Sequence, residues 1–221
     1  MPERGGAAAG PGGLFLAFEG VEGAGKSTQV QQLAEWLRGR GVEVVLAREP
    51  GSTPLGERIR ETVLGDLSLP IPPRSELFLM LAARAAFVEQ VVRPALAAGA
   101  VVIADRFELS TLAYQGAGRG LPIAEIRRCN RAATGGLSPH TTVLLDVDAG
   151  EGARRQQVEG KRPDRLERAG AEFHRRVCVG YRELAVQVPG LLVVPAGGSV
   201  AEVQQRVLHG LAQRHPETFI L

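Results

Sequence analysis

Lysine is nearly absent from this 221-residue chain, where Lys26 and Lys161 stand against 24 arginines. Acidic residues number 24, so the formal charge is only +2 and composition carries no general polyanion-binding signature. Bulk nucleic-acid binding is therefore disfavoured. Long apolar runs are missing too: nothing approaches the roughly 18 residues of a membrane span. Met1–Gly13 lacks the apolar middle of a secretory signal. Cysteine is limited to Cys129 and Cys178, too few for a disulfide framework and without the C-x-x-C spacing of a metal site. These absences point to a cytoplasmic protein with reduced, partly buried thiols and no membrane partner. Met1–Gly13 is almost entirely Gly, Ala, Pro and charge, which cannot bury enough surface to offset ordering entropy, and is expected to be a disordered tail. The remaining residues, 14–221, are 44% hydrophobic as part of the whole chain and suffice for one α/β domain.

What is present is a phosphate cradle. Gly20-Val21-Glu22-Gly23-Ala24-Gly25-Lys26-Ser27 satisfies G-x-x-x-x-G-K-[ST] between an apolar run, Leu14 to Glu19, and a segment with Val30, Leu33, Ala34 and Leu37 at helical spacing. With 28 glycines and two lysines, this pattern arises by chance in roughly two chains per thousand of this composition. Glycine lets the backbone turn tightly against an anion, and the N–H groups opening the helix point at phosphate oxygens. Lys26 adds a compact charge at the β/γ-phosphates, and Ser27 a hydroxyl for Mg²⁺. The reading is nucleoside triphosphate binding through Gly20, Gly23, Ala24, Gly25, Lys26, Ser27 and Thr28.

Further strands are expected at Val42–Ala47, Val101–Ala104, Thr142–Val147 and Leu191–Val194. Helices are expected at Ser27–Arg40, Leu55–Leu64, Ser75–Ala98, Ile123–Ala133, Phe173–Val188 and Val200–Gln213. The alternation predicts a three-layer P-loop fold: a five-stranded parallel sheet with helices on both faces. Ligands of such sheets gather at the carboxyl ends of strands. Arg48, in Arg48-Glu49-Pro50-Gly51, therefore reads equally as an anion ligand or as a solvated turn residue. Asp105-Arg106 ends the third strand where an acidic residue can hold Mg²⁺ or its water and an arginine can neutralise a second phosphate. Arg84 interrupts an apolar helix face, and from that pattern alone it snorkels to the surface. Ser110 to Gln115 is dense in hydrogen-bonding groups able to read a base edge. Glu151–Arg168, with six basic and four acidic residues, is either a solvated helical hairpin or a lid over a triphosphate. His140, His174, His209 and His215 fall outside these constellations.

Taken together, Phe18-Glu19-Gly20 through Ser27-Thr28, Arg48 to Gly51, Ala82-Ala83-Arg84, Asp105-Arg106 with Ser110 to Gln115, and Asp164-Arg165-Leu166-Glu167 resemble the thymidylate kinases. The match runs from about Leu14 to Gln213. The resemblance implies transfer of the γ-phosphoryl of ATP to dTMP with Mg²⁺, a homodimer packed through helices, and a lid over about 151–168. It implies that Lys26 and Ser27 hold ATP and Mg²⁺ and that Asp105 binds the metal. It also implies that Arg48 and Arg106 clamp the dTMP phosphate, with Arg60 near it, and that Arg84 bonds the thymine, reversing the surface reading. Thr111 and Gln115 would read the base, with Tyr114 near the sugar. Glu22 matches an acidic loop residue near the transferring phosphoryl. The lid would supply cations from among Arg154, Lys161, Arg162 and Arg165. Met80 stands where the family usually has a phenylalanine over the base, and Phe78 lies on a different helical face. A kinase for another nucleoside monophosphate or a deoxynucleoside would share the loop and the Asp-Arg pair; a nucleotide switch would need none of the acceptor-side arginines.

Overall fold

The computed structural model describes residues 12–147, 150–152, 154–155 and 164–220. The chain runs β1 (Leu14–Glu19), α1 (Lys26–Arg38), β2 (Val44–Arg48), α2 (Pro54–Arg60), α3 (Pro73–Phe87), α4 (Arg93–Ala97), β3 (Val101–Asp105), α5 (Glu108–Thr111) and α6 (Ile123–Thr134). It continues through β4 (Thr141–Asp146), α7 (Ala171–Ala185), β5 (Leu191–Pro195) and α8 (Val200–Arg214). The strands form one parallel sheet in the order β2-β3-β1-β4-β5.

The central strand explains the layering. All six residues of β1 are buried, because its two faces meet different helical layers. Leu14, Leu16 and Phe18 pack with Val101, Ile103 and Val143 against Leu33, Leu37, Val207 and Leu211 of α1 and α8. Phe15 and Ala17 point the other way, onto Phe87, Val88 and Phe107. A third apolar cluster joins α2, α3, α6 and α7 through Ile59, Leu77, Ile126 and Tyr181.

Differences from the expected boundaries have local causes. The helix expected from Ser75 begins at Pro73, since proline suits a first helical position where its missing N–H is no loss. The same helical rod widens into a π-turn at Val88–Val92, just before Pro94, which has no N–H for the Gln90 carbonyl. Ser110 to Gln115 belongs to a helical run that continues from α5 into a π-helical stretch, Leu112–Gly118. Of the expected tail, residues 1–11 lie outside the described residues. Gly13 already packs so closely that a Cβ there would fall 2.5 Å from the Leu96 Cα.

Candidate active site

Strand ends assemble the site. Asp105 at the tip of β3 has Phe18 of β1 and Arg48 of β2 as its register partners, so the ends of three strands meet at one rim. Between β1 and α1 the loop turns through Gly20, Gly23 and Gly25 at φ 140°, 72° and 87°. Side chains are excluded by neighbours as well as by φ: a Cβ on Gly23 would sit 2.1 Å from the Gly152 oxygen, and one on Gly20 2.7 Å from the Leu145 oxygen. Gly25 caps α1 without any side-chain hydrogen bond, which leaves the helix-opening N–H groups to an anion.

Lys26 is buried and folds back, donating to the Gly20 and Val21 carbonyls at 3.1 and 2.9 Å. Burial, and then the charge of Arg106, push its ammonium pKa down, against the pull of Glu22 and Asp105. The exposed Ser27 hydroxyl donates to Asp105 Oδ2 at 2.7 Å. A hydroxyl and a carboxylate so placed are hard oxygen donors of the kind Mg²⁺ accepts alongside phosphate and water. Thr28 follows, also exposed, while Ala24 is buried against the core.

Arg106 is the hub. Its backbone is left-handed, φ 77°, an uncommon choice for a side chain of this size. Its guanidinium pairs with Glu22 and donates to the Gly20 carbonyl at 3.2 Å, Ser110 Oγ at 3.1 Å and the Tyr181 hydroxyl at 2.9 Å. Burial opposes ionisation of Glu22, but Arg106, Lys26 and the Tyr114 hydroxyl outweigh it and hold the carboxyl at about 2. Tyr114 donates to Glu22 Oε1 at 3.1 Å, and burial pushes its own hydroxyl pKa up.

On the other side of Arg106, Arg48 is exposed and ion-paired with Glu57 at 3.0 Å, and Arg60 donates to the Pro50 carbonyl at 3.0 Å. An open cleft of about 460 Å³ borders Arg60, Arg58, Leu64 and Asp164. Met80 is buried in the cluster that holds Tyr114, whereas Phe78 is 54% exposed on the opposite side of α3. Thr111 and Gln115 are both buried.

The surface placement read for Arg84 from its helix pattern is wrong: the side chain is 3% exposed. It donates to Glu49 Oε2 at 2.7 Å, Thr111 Oγ1 at 3.0 Å, Asn130 Oδ1 at 2.7 Å and the Phe107 carbonyl at 2.9 Å, and stacks 4.9 Å from the Phe107 ring. A carboxylate beside it makes burial tolerable, which apolar periodicity alone does not reveal. Arg165, counted among the lid cations, is docked inward instead, on Glu76 and the Val63 carbonyl. Arg154 is exposed and paired with Glu151, and Arg155 ties Glu151 to the Ala196 carbonyl. Lys161 and Arg162 lie outside the described residues. His140, His174 and His215 serve structural hydrogen bonds to Phe15 N, the Glu167 carbonyl and Thr141.

Sequence reasoning missed Glu19, Glu49, Glu76, Asn130 and Tyr181. Glu19 is wholly buried and accepts from Phe107 N at 2.8 Å and Ser110 Oγ at 2.6 Å, fixing the turn that carries Arg106. A carboxylate inside an otherwise apolar central strand was a readable signal. Tyr181, on a helix 75 residues from Arg106, offered none.

The thymidylate kinase family model matches residues 18–207. A thymidylate kinase of Deinococcus radiodurans is 46% identical over 203 residues, covering 91% of this chain and 98% of that relative. One of Ectopseudomonas mendocina is 48% identical over 193 residues, covering 87% and 91%. The crystal structure of the thymidylate kinase from Ehrlichia chaffeensis matches with a TM-score of 0.75 at 32% identity, covering 91% of this chain and 100% of that one. With its phosphate loop, its Asp105-Arg106 strand tip and its arginine-lined second wall in this arrangement, the chain belongs to the thymidylate kinase family.

Proposed function

We propose that this chain transfers the γ-phosphoryl group of ATP to dTMP, giving dTDP and ADP. The observation that carries the reading is the position of Arg106, which hydrogen-bonds the Gly20 carbonyl of the donor loop and lies near enough to Arg60 for the two charges to interact. A donor cradle and an acceptor clamp thus share one cation at the point where the phosphoryl would pass. Phosphoryl transfer asks the protein chiefly for positioning and charge neutralisation, and these are what the residues supply.

In this reading Gly20 to Thr28 hold ATP. Lys26 leaves its loop carbonyls for the β/γ-phosphates, where an anion compensates its charge better than two peptide dipoles do. Ser27 and Asp105 hold Mg²⁺, directly or through water, and the ion adds charge neutralisation across the phosphates. Arg48, Arg60 and Arg106 take the acceptor phosphate. Thr111 and Gln115 read the base, Arg84 bonds the thymine beside them, Met80 covers it, and Tyr114 stands near the sugar. Glu22, ionised far below neutrality, acts by holding Arg106 rather than by moving a proton. Arg154 and Arg162 are the lid cations of the proposal; Arg154 would exchange Glu151 for phosphate.

The family reading extends to a homodimer packed through helices, in keeping with the exposed Phe78 on α3, and to work in the cytoplasm. None of the helices among the described residues is long and apolar enough to cross a membrane. An ADP-release assay with dTMP, dUMP, dCMP, AMP and GMP as acceptors tests the central claim. Turnover highest with dTMP is expected; equal turnover without any acceptor would leave only a nucleotide hydrolase.

A further inference from the structure

Between α3 and the π-helical stretch Leu112–Gly118 lies a carboxylate, Glu76, that is 0% exposed and has no part in holding phosphate. Its Oε1 accepts from Gln115 Nε2 at 2.9 Å and from Arg119 Nε at 3.3 Å. Its Oε2 accepts from Arg119 Nη2 at 3.1 Å and from Arg165 Nη2 at 2.5 Å. Two guanidinium groups compensate one buried carboxylate, and burial, which would favour the neutral acid, is outweighed by these hydrogen bonds, so the pKa falls. The group is therefore a carboxylate at neutral pH.

An ionised carboxylate only accepts hydrogen bonds. The side-chain amide of Gln115 can thus meet Glu76 in one orientation alone, with NH₂ toward Glu76 and the carbonyl oxygen directed away. An amide without such a neighbour flips between two nearly equal orientations. Gln115 is itself buried and follows Thr111 by four residues, on the same side of the helical run.

We propose that Glu76 is a specificity-positioning residue: by capturing the Gln115 NH₂ it makes Gln115 present an acceptor to the pyrimidine edge. This rests on the reading of Gln115 as a base contact. Thymine and uracil carry an N3–H donor on that edge, which such an acceptor satisfies. Cytosine carries a lone pair at N3, which the same acceptor repels. Selection for a 2,4-dioxopyrimidine then depends on a residue that acts on the base through Gln115.

The test is the ratio of kcat/KM for dTMP to that for dCMP in the full-length enzyme. Glu76→Gln, whose amide can donate or accept, lets Gln115 flip, and the ratio should fall about tenfold, the worth of one hydrogen bond, with KM for ATP unchanged. Glu76→Asp retreats from Gln115 by one methylene yet keeps a charge for the long arginines, so it gives the same reading if Glu76→Gln does not fold. Arg119→Met removes an ion pair but spares the Gln115 bond; it should lower the melting temperature and leave the ratio alone. Gln115→Ala separates the two levels. A ratio that moves in Gln115→Ala but in neither Glu76 variant overturns the inference alone. A ratio unmoved in all three removes the base-reading role of Gln115, and the inference with it.

Discussion

Arg106 donates to the Tyr181 hydroxyl at 2.9 Å, so a cation at the tip of β3 is held by a side chain from α7. That hydroxyl lies 3.2 Å from Glu19 Oε2, to which it donates, and 2.8 Å from Ser110 Oγ. Tyr181 thus links the helix that follows Asp164–Arg168 to the residue shared by donor and acceptor.

Tyr181→Phe tests the link. The ring keeps its packing on Tyr114, and Ser110 still satisfies Glu19, so the fold should lose only about 1 kcal/mol. Arg106 loses one of several anchors, and kcat/KM for dTMP should drop about three- to tenfold while KM for ATP stays constant. Steady-state kinetics with each substrate varied in turn would show it. An equal rise in both KM values would make Tyr181 an ordinary packing residue.

Lys26→Ala should lower kcat on the order of a thousandfold, since a charge aimed at the β/γ-phosphates disappears. Stability changes as well, because Lys26 is 6% exposed and not a free surface chain. Gly20 O keeps Arg106 as donor and Val21 O keeps the Ala24 N–H, so the two lost Lys26 bonds cost only about 0.5–1.5 kcal/mol in urea unfolding. A variant retaining more than about a tenth of kcat would remove this loop from the chemistry.

Arg84→Ala leaves Glu49 as a buried carboxylate without its guanidinium, and Glu49 Oε1 already has no hydrogen-bond partner. Destabilisation of about 3–5 kcal/mol follows, far above the value for a surface arginine. Adding Glu49→Leu removes the stranded charge, and the double variant should recover a large part of the loss. Denaturant midpoints of the single and double variants decide the point; no recovery would mean that Arg84 matters through Thr111 and Asn130 instead.

Acid should weaken the fold through Glu22. Its carboxyl lies at about 2 in the folded protein against 4.5 unperturbed, so between these values the unfolded chain binds more protons. The stabilisation from this group is complete above pH 4.5 and is lost as pH falls toward 2. Melting temperature should decline across that window, and Glu22→Gln should flatten part of the decline. Parallel profiles for the two proteins would show that the Arg106–Glu22 pair contributes nothing to folding.

Local chemistry alone settled a good deal. Gly20 to Ser27 was legible because a phosphate loop is contiguous: tight turns, a lysine and a hydroxyl must follow one another along the backbone. The strand and helix order was legible because apolar periodicity marks which faces will be buried, and right-handed crossovers then leave few topologies. Arg84 and Glu76 were not, although each lies in a well-read helix. Their partners are distant in the chain: Glu49 is 35 residues from Arg84, and Arg165 is 89 from Glu76. A charged residue on a helix face snorkels or is buried according to whether an opposite charge meets it there, and that meeting is made by packing rather than by spacing. The same holds for Gln115, whose type shows that it can donate and accept, while only the carboxylate behind it decides which it does.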